Sequence, residues 1–86
     1  MSEDLNQHLR AALLEAVENQ LTNSNPPETR QTYERLQRGG KSEHDAKMLI
    51  ASVVVVEILE VVNRREPYNN ERFVQALNRL PELPEG

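Results

Sequence analysis

The sequence contains no cysteine and no tryptophan, and its aromatic residues are two tyrosines and one phenylalanine. Without cysteine, the chain has neither a disulfide to brace a small fold nor the thiolates of a structural zinc site. Ten Lys and Arg stand against fourteen Asp and Glu, for a net charge of -4. This balance argues against nucleic acid as the main partner, because phosphate binding needs a concentrated basic face. The length of 86 residues predicts one domain with a small core.

A long apolar run is also missing. The longest nearly apolar segment, residues 48–62, is interrupted by Ser52, Glu57 and Glu60, so it is too short and too charged to span a bilayer. The N-terminus lacks the basic start and apolar stretch of a signal peptide. We therefore expect no membrane span and a cytoplasmic location, and the absence of cysteine agrees with a reducing compartment.

The spacing of the apolar residues predicts an all-α domain of four helices in an up-down, bundle-like arrangement. Steps of three and four between apolar residues are helical, and the predicted helices cover residues 3–22, 26–38, 43–65 and 70–80. Pro26, Gly39–Gly40 and Pro67 mark the three breaks between the four helices, and we expect Asn25 to cap the second helix. The second helix is weakly apolar and should lie over the core through Thr29, Tyr33 and Leu36. Residues 81–86 are predicted to be a frayed tail.

The third predicted helix contains four consecutive valines, Val53 to Val56, which favour a strand by propensity. In a strand, Glu57 would lie on one face and Glu60 on the other, so neither face would be apolar. In a helix, most of the aliphatic side chains lie within one arc. The segment is also too long for an ordinary strand. We therefore predict a long apolar helix at the centre of the domain.

The third helix is apolar beyond its core arc, and the other helices are short. This excess of apolar surface predicts a homodimer, or contact with another protein, through the first and third helices. The candidate interface residues are Leu13, Val17, Leu49, Val53 and Val56.

The chain has few residues that could carry chemistry, and we expect no cofactor. His8, His44 and Glu57 are candidates for a metal-binding or enzymatic helical bundle, but they show no HxxxH or HExxH spacing. A structural interpretation is favoured, in which the histidines are exposed and Glu57 pairs with an arginine of another helix or subunit. Glu60 and Arg64 are predicted to form an i,i+4 pair.

A modest basic edge accompanies the second helix, formed by Arg30, Arg35, Arg38 and Lys41. With Tyr33 among them, these residues could contact nucleic acid in an accessory role. Glu28 and Glu34 dilute the edge and the overall charge opposes this function. A solvated surface is therefore the favoured interpretation, and nucleic acid an alternative.

Several short patterns together resemble a family of small bacterial proteins that is known as a domain of unknown function. The matching stretches are residues 25–30 (NPPETR), 33–36 (YERL), 43–46 (EHDA) and 57–58 (EI), followed by Pro67. The resemblance covers about residues 9–80 and implies the fold, without implying an activity. Relatives in this family carry further histidines, and the matching positions here are Arg10, Leu14 and Met48. The resemblance therefore argues against a histidine-rich metal site in this chain.

Overall fold

Four α-helices in succession form the described part of the chain. In this computed structural model the backbone is described for residues 3–83 and the side chains for residues 7–83. The helices are α1 (Glu3–Asn23), α2 (Pro27–Arg38), α3 (Glu43–Arg64) and α4 (Asn70–Arg79). No β-strand occurs within residues 3–83, which confirms the predicted all-α class with four helices. None of these helices combines the length and the hydrophobicity that a membrane crossing requires.

The long helix α3 packs against each of the other three helices, as α2 also does, and it contributes more buried apolar residues than any other helix, in agreement with its predicted central position. Its buried residues include Ala46, Ile50, Val53, Val54 and Glu57. These positions recur in steps of three and four along one helical face, which explains why the valine run adopts a helix here. Tertiary packing has thus overridden the strand preference of valine.

Each of the other helices contributes side chains to the core around α3. Val17 and Leu21 enter it from α1, and Phe73 and Leu77 enter it from α4. Helix α2 covers the core with Thr29, Thr32, Tyr33 and Leu36, all of them buried, so its predicted inward face is confirmed. The hydroxyl of the fully buried Thr29 donates a hydrogen bond to Gln20 Oε1 at 3.0 Å. This bond satisfies a polar group that burial would otherwise destabilise.

The N-terminus of α2 differs from the prediction. Asn25 was expected to be the N-cap, but Pro26 occupies that position with extended φ and ψ of -75° and 153°, and Asn25 is exposed. The proline ring already fixes φ near the value that the N-cap needs, and Pro27 follows at the first helical position, where a missing N–H costs little. The helix therefore begins at Pro27, one residue later than predicted.

The C-terminus of α2 ends in a Schellman motif. The N–H of Gly40 donates to Gln37 O and the N–H of Lys41 donates to Leu36 O, both at 3.0 Å. Gly40 has a φ of +102°, a conformation that glycine adopts without a Cβ clash. This confirms the predicted role of the glycine pair as the helix stop.

The segment between α3 and α4 is organised by caps. Arg65 ends α3 in the left-handed conformation, and the Asn69 side chain accepts a hydrogen bond from the backbone N–H of Arg72 at 3.0 Å. The rings of Tyr68 and Phe73 lie 5.9 Å apart, which is the contact of a hydrophobic staple around the cap. After α4, Leu80 is buried, and residues 84–86 of the predicted tail lie outside the described residues.

Candidate interaction surface

The buried polar centre of the domain is Glu57, whose side chain lies between α3 and α4. Its Oε1 accepts a hydrogen bond from Arg72 Nε at 2.8 Å, and its Oε2 accepts from Arg72 Nη2 at 2.8 Å and from the Asn69 N–H at 3.1 Å. Glu57 is only 6% exposed. A carboxylate so deeply buried requires a paired cation and further donors. Glu57 thus joins α3 to the first turn of α4.

The surroundings of Glu57 hold it in the charged form. The hydrogen bonds from Arg72 lower the pKa of Glu57, burial opposes them by raising it, and the Asn69 N–H adds a smaller lowering. The net direction is downward, because donors to the charged form outweigh desolvation. Glu57 is therefore charged at neutral pH and holds the N-terminus of α4 by these hydrogen bonds.

Two grooves flank this ion pair. One, of about 450 Å³, lies between α3 and α4, with Val53, Val56 and Ala76 among its apolar lining. The other, of about 420 Å³, is lined by the α1–α2 turn together with α3 and the start of α4. Glu57 borders both, but Arg72 and Asn69 engage its two oxygens. The predicted pairing of Glu60 with Arg64 is also present, and both residues line the larger groove.

The three metal candidates do not form a common site in the structure. His8 and His44 are exposed on α1 and in the first turn of α3, whereas Glu57 is buried. Among the described side chains, no three of His, Asp or Glu are arranged to hold a metal ion. The geometry therefore gives no support to the metal-binding alternative.

The basic edge is smaller than its sequence indicates. Arg35 donates from Nη1 to Leu80 O at 2.8 Å and from Nη2 to Leu77 O at 3.0 Å. Arg35 thus caps the C-terminus of α4, where the helix dipole also favours a positive charge. We therefore correct its assignment to a free basic surface. Arg30 Nη1 lies 3.9 Å from Glu34 Oε2. Arg38 and Lys41 are exposed.

Two of the five predicted interface residues belong to the core of a single chain. Val17 is 0% and Val53 is 1% exposed, and both belong to the hydrophobic core of the domain. We therefore correct the prediction at both positions, since neither presents surface to a partner. Leu13 and Leu49 are partly buried and pack against the core, and Val56 lies half-buried in the groove between α3 and α4.

Two exposed apolar residues of α3 follow a different line, with α1 beside it, whereas exposed Ile58 faces the groove at the α1–α2 turn. Leu59 is 49% and Val62 is 64% exposed on α3, and Leu9 on α1 is 58% exposed. Half-buried Met48 and Val55 continue the line toward the start of α3. We call this line the α3 seam, defined by Met48, Ser52, Val55, Leu59 and Val62.

Helix α1 lies alongside the seam. A groove of about 260 Å³ runs between the two helices, and Leu9, Leu13, Met48 and Val55 contribute to its lining. Arg10 and Ser52 also line it, whereas Leu59 and Val62 do not, so the groove connects α1 to the part of the seam between Met48 and Val55. Contiguous apolar surface of this kind marks interaction sites in soluble domains.

The seam residues were missed as interface candidates, although a signal for them is present in the sequence. They are spaced by four, three, four and three residues, which is the repeat of a helix that packs on another helix. Periodicity alone does not tell which of two apolar stripes the same chain covers. The stripe through Ile50, Val53 and Val54 is covered here, and the seam is left outside.

The protein is thus a four-helix domain in which buried Glu57 and partly exposed Arg72 form an ion pair between α3 and α4, with exposed apolar side chains on α1 and α3. Comparison with family models, with curated proteins and with solved structures finds no match to this chain.

Proposed function

We propose that this protein is a small interaction module that forms a homodimer through α1 and α3. The single observation that carries the proposal is the exposure of Leu9, Leu59 and Val62 on one apolar surface with half-buried Met48 and Val55. The proposal includes a cytoplasmic location and membership of the bacterial family that the sequence resembles.

The size of the domain supports association. A chain of 86 residues buries about 60–65% of its unfolded surface, so its own core provides limited stability. Covering apolar surface is favourable by about 25 cal/mol per Å², and this gain must exceed the loss of translational, rotational and side-chain freedom on association. A second copy offers the same apolar surface to the first, and a two-fold axis lets both be buried at once.

The test is the molar mass in solution by sedimentation equilibrium at micromolar concentration. A single chain has a mass of 9.9 kDa, and we expect twice that value for the wild type. A wild-type protein that remains at the mass of one chain throughout this range contradicts the proposal.

A pair of variants locates the contact. Leu59→Glu places a charge in the seam and is expected to give a folded monomer, because a desolvated, unpaired charge opposes association. Gln31→Glu adds the same charge on the exposed surface of α2 and should leave the dimer intact. Helical content by circular dichroism must match the wild type in both. If Leu59→Glu folds and still dimerises as tightly as Gln31→Glu, the seam is not the contact.

A further inference from the structure

We infer that the groove at the α1–α2 turn is a binding site for a small organic cation with a flat apolar body. The groove has a volume of about 420 Å³, which falls in the range of about 300–1,000 Å³ that small-ligand sites occupy. None of the seam residues lines it. The inference therefore goes beyond the proposed homodimer and is tested independently of it.

Apolar side chains line this groove from several sides. Val54 and Ile58 line it from α3, Pro26 from the α1–α2 turn, and Tyr68 and Phe73 from the start of α4 and the segment before it. Ile58 is 50% and Tyr68 is 51% exposed, so a ligand can cover further apolar surface of both. A flat ring suits these walls, because aromatic rings favour offset or edge-to-face contacts with other rings.

The polar groups of the lining are hydrogen-bond acceptors without a cation. Carboxamides come from Gln20, Asn25 and Asn70, and no lysine or arginine is among the described residues that line the groove. Gln20 Oε1 accepts one hydrogen bond from Thr29. Asn70 Oδ1 likewise accepts one from Tyr68. Because a carboxamide oxygen has two lone pairs, each of these oxygens keeps a second acceptor site for the N–H groups of a ligand.

The ion pair between α3 and α4 presents its negative member to this groove. Glu57 is part of the lining, whereas its partner Arg72 lines the larger groove and is not among the residues of this one. The carboxylate already accepts three hydrogen bonds out of about four that its lone pairs allow. Its contribution to a ligand is therefore mainly electrostatic.

The surrounding charges have the same sign in excess. The segments that border the groove, residues 20–30 and 54–73, contain five acidic residues, four arginines and no lysine. Three of these arginines form ion pairs with glutamates. The charges that are left over are those of Glu28, Glu66, Glu71 and Arg65. The excess is negative, which favours a cation over an anion.

Two helix N-termini lie at this groove, and neither is open to an anion. At the start of α2, Pro26 and Pro27 have no N–H to donate, and Glu28 stands in the first turn. At the start of α4, the Asn69 N–H donates to Glu57, and Glu71 stands in the first turn. Carboxylates of the chain itself therefore offset the positive ends of both helix dipoles.

Tyr68 experiences the resulting potential. Burial raises the pKa of the Tyr68 hydroxyl, and the charges of Glu57 and Glu28 raise it further. Carboxylates have this effect because they oppose a second negative charge nearby. The same field attracts a positive charge, and the face of the Tyr68 ring adds a cation–π contact.

Three indole compounds of the same shape test the class of ligand: tryptamine is a cation, tryptophol is neutral and indole-3-propionate is an anion. The chain contains no tryptophan, so the anisotropy of indole fluorescence reports on the ligand alone. We expect tryptamine to bind about two- to fivefold more tightly than tryptophol, and indole-3-propionate to bind more weakly than both. Equal binding of the three compounds, or no binding at millimolar concentration, overturns the inference.

Two lysine variants locate the site. Asn25→Lys places a cation in the lining and should reverse the order, so that indole-3-propionate binds most tightly. Asn78→Lys makes the same substitution on the exposed surface of α4, away from the groove, and should leave the order unchanged. Circular dichroism must show wild-type helical content in both. If Asn25→Lys folds and still prefers tryptamine as the wild type does, the groove is not the site.

A change of charge outside the lining separates electrostatics from packing. Glu28→Gln should weaken tryptamine about twofold and leave tryptophol unchanged, as expected for one partly screened charge. Glu34→Gln, at an exposed pair on α2, should change neither. Equal losses of tryptamine and tryptophol in Glu28→Gln contradict the electrostatic part of the inference. A wild type that is monomeric and binds the three compounds in the expected order contradicts the homodimer and supports the site.

Discussion

Replacement of Glu57 by glutamine removes the charge at the centre of the fold and keeps the volume of the side chain. In the wild type the carboxylate accepts two hydrogen bonds of 2.8 Å from Arg72 and one of 3.1 Å from the Asn69 N–H. The glutamine amide has only one acceptor oxygen. Its NH₂ group would face N–H donors of Arg72 or Asn69, and two donors cannot form a hydrogen bond with each other. We expect Glu57→Gln to loosen the contact between α3 and the start of α4.

The magnitude follows from burial and from the number of bonds. Glu57 is 6% exposed, and hydrogen bonds to a charged group contribute about 1.5–3 kcal/mol each. Water can partly replace the lost contact, because the Arg72 side chain is 29% exposed. We therefore expect a loss of about 2–3 kcal/mol at neutral pH. For a domain of this size that corresponds to a decrease in Tm of about 10–20 °C.

The pH dependence gives the sharper test. The pKa of Glu57 is lowered from its ordinary value of 4.5, so its charged form stabilises the folded state above that pH. This contribution is lost as the pH falls through the lower pKa of the folded protein. Glutamine does not titrate, and the stability difference between wild type and Glu57→Gln should shrink as the solution is acidified below about pH 4.5.

Urea unfolding curves of wild type and variant, recorded by circular dichroism between neutral and acidic pH, measure this difference. Glu34→Gln is a matched control, because Glu34 forms an exposed i,i+4 pair with Arg30 and should change stability by less than about 0.5 kcal/mol. A Glu57→Gln variant that loses no more stability than this control, or a difference that is constant with pH, refutes the reasoning.

Two further perturbations probe the helix ends and the buried hydroxyl. Arg35→Ala removes the donors to Leu77 O and Leu80 O and should destabilise the domain by about 1–2 kcal/mol, with faster amide exchange in the last turn of α4. The nearby exposed Arg38→Ala should change stability by less than about 0.5 kcal/mol, so equal effects of the two variants contradict the capping role. Thr29→Val removes the hydrogen bond to Gln20 and should cost about 1 kcal/mol in chemical unfolding; an unchanged midpoint contradicts that bond.

The four helices and the all-α class were predictable from the sequence alone. Their bounds agree with the prediction within a residue or so, because proline, glycine and capping residues act locally and apolar periodicity is a property of neighbouring positions. The clearest local signal was the glycine pair Gly39–Gly40, which ends α2. Asn25 was the exception, since Pro26 satisfied the same backbone requirement one position later.

The partner of Glu57 could be predicted only in part from the sequence. Its apolar surroundings indicated a buried, paired carboxylate, but not that Arg72 is its partner, because the two residues are fifteen positions apart and belong to different helices. The same limit explains Arg35, which looked like surface charge and reaches the end of α4 across more than forty residues.

Which apolar stripe of α3 is covered depends on the packing of the other helices. The sequence shows two stripes with helical spacing, and the packing of α1, α2 and α4 buries the one through Ile50 and Val53 while Leu59 and Val62 stay exposed. Periodicity states that a residue belongs to an apolar face. Whether that face meets its own chain or a partner depends on distant segments, and this is why the seam emerged from the folded domain.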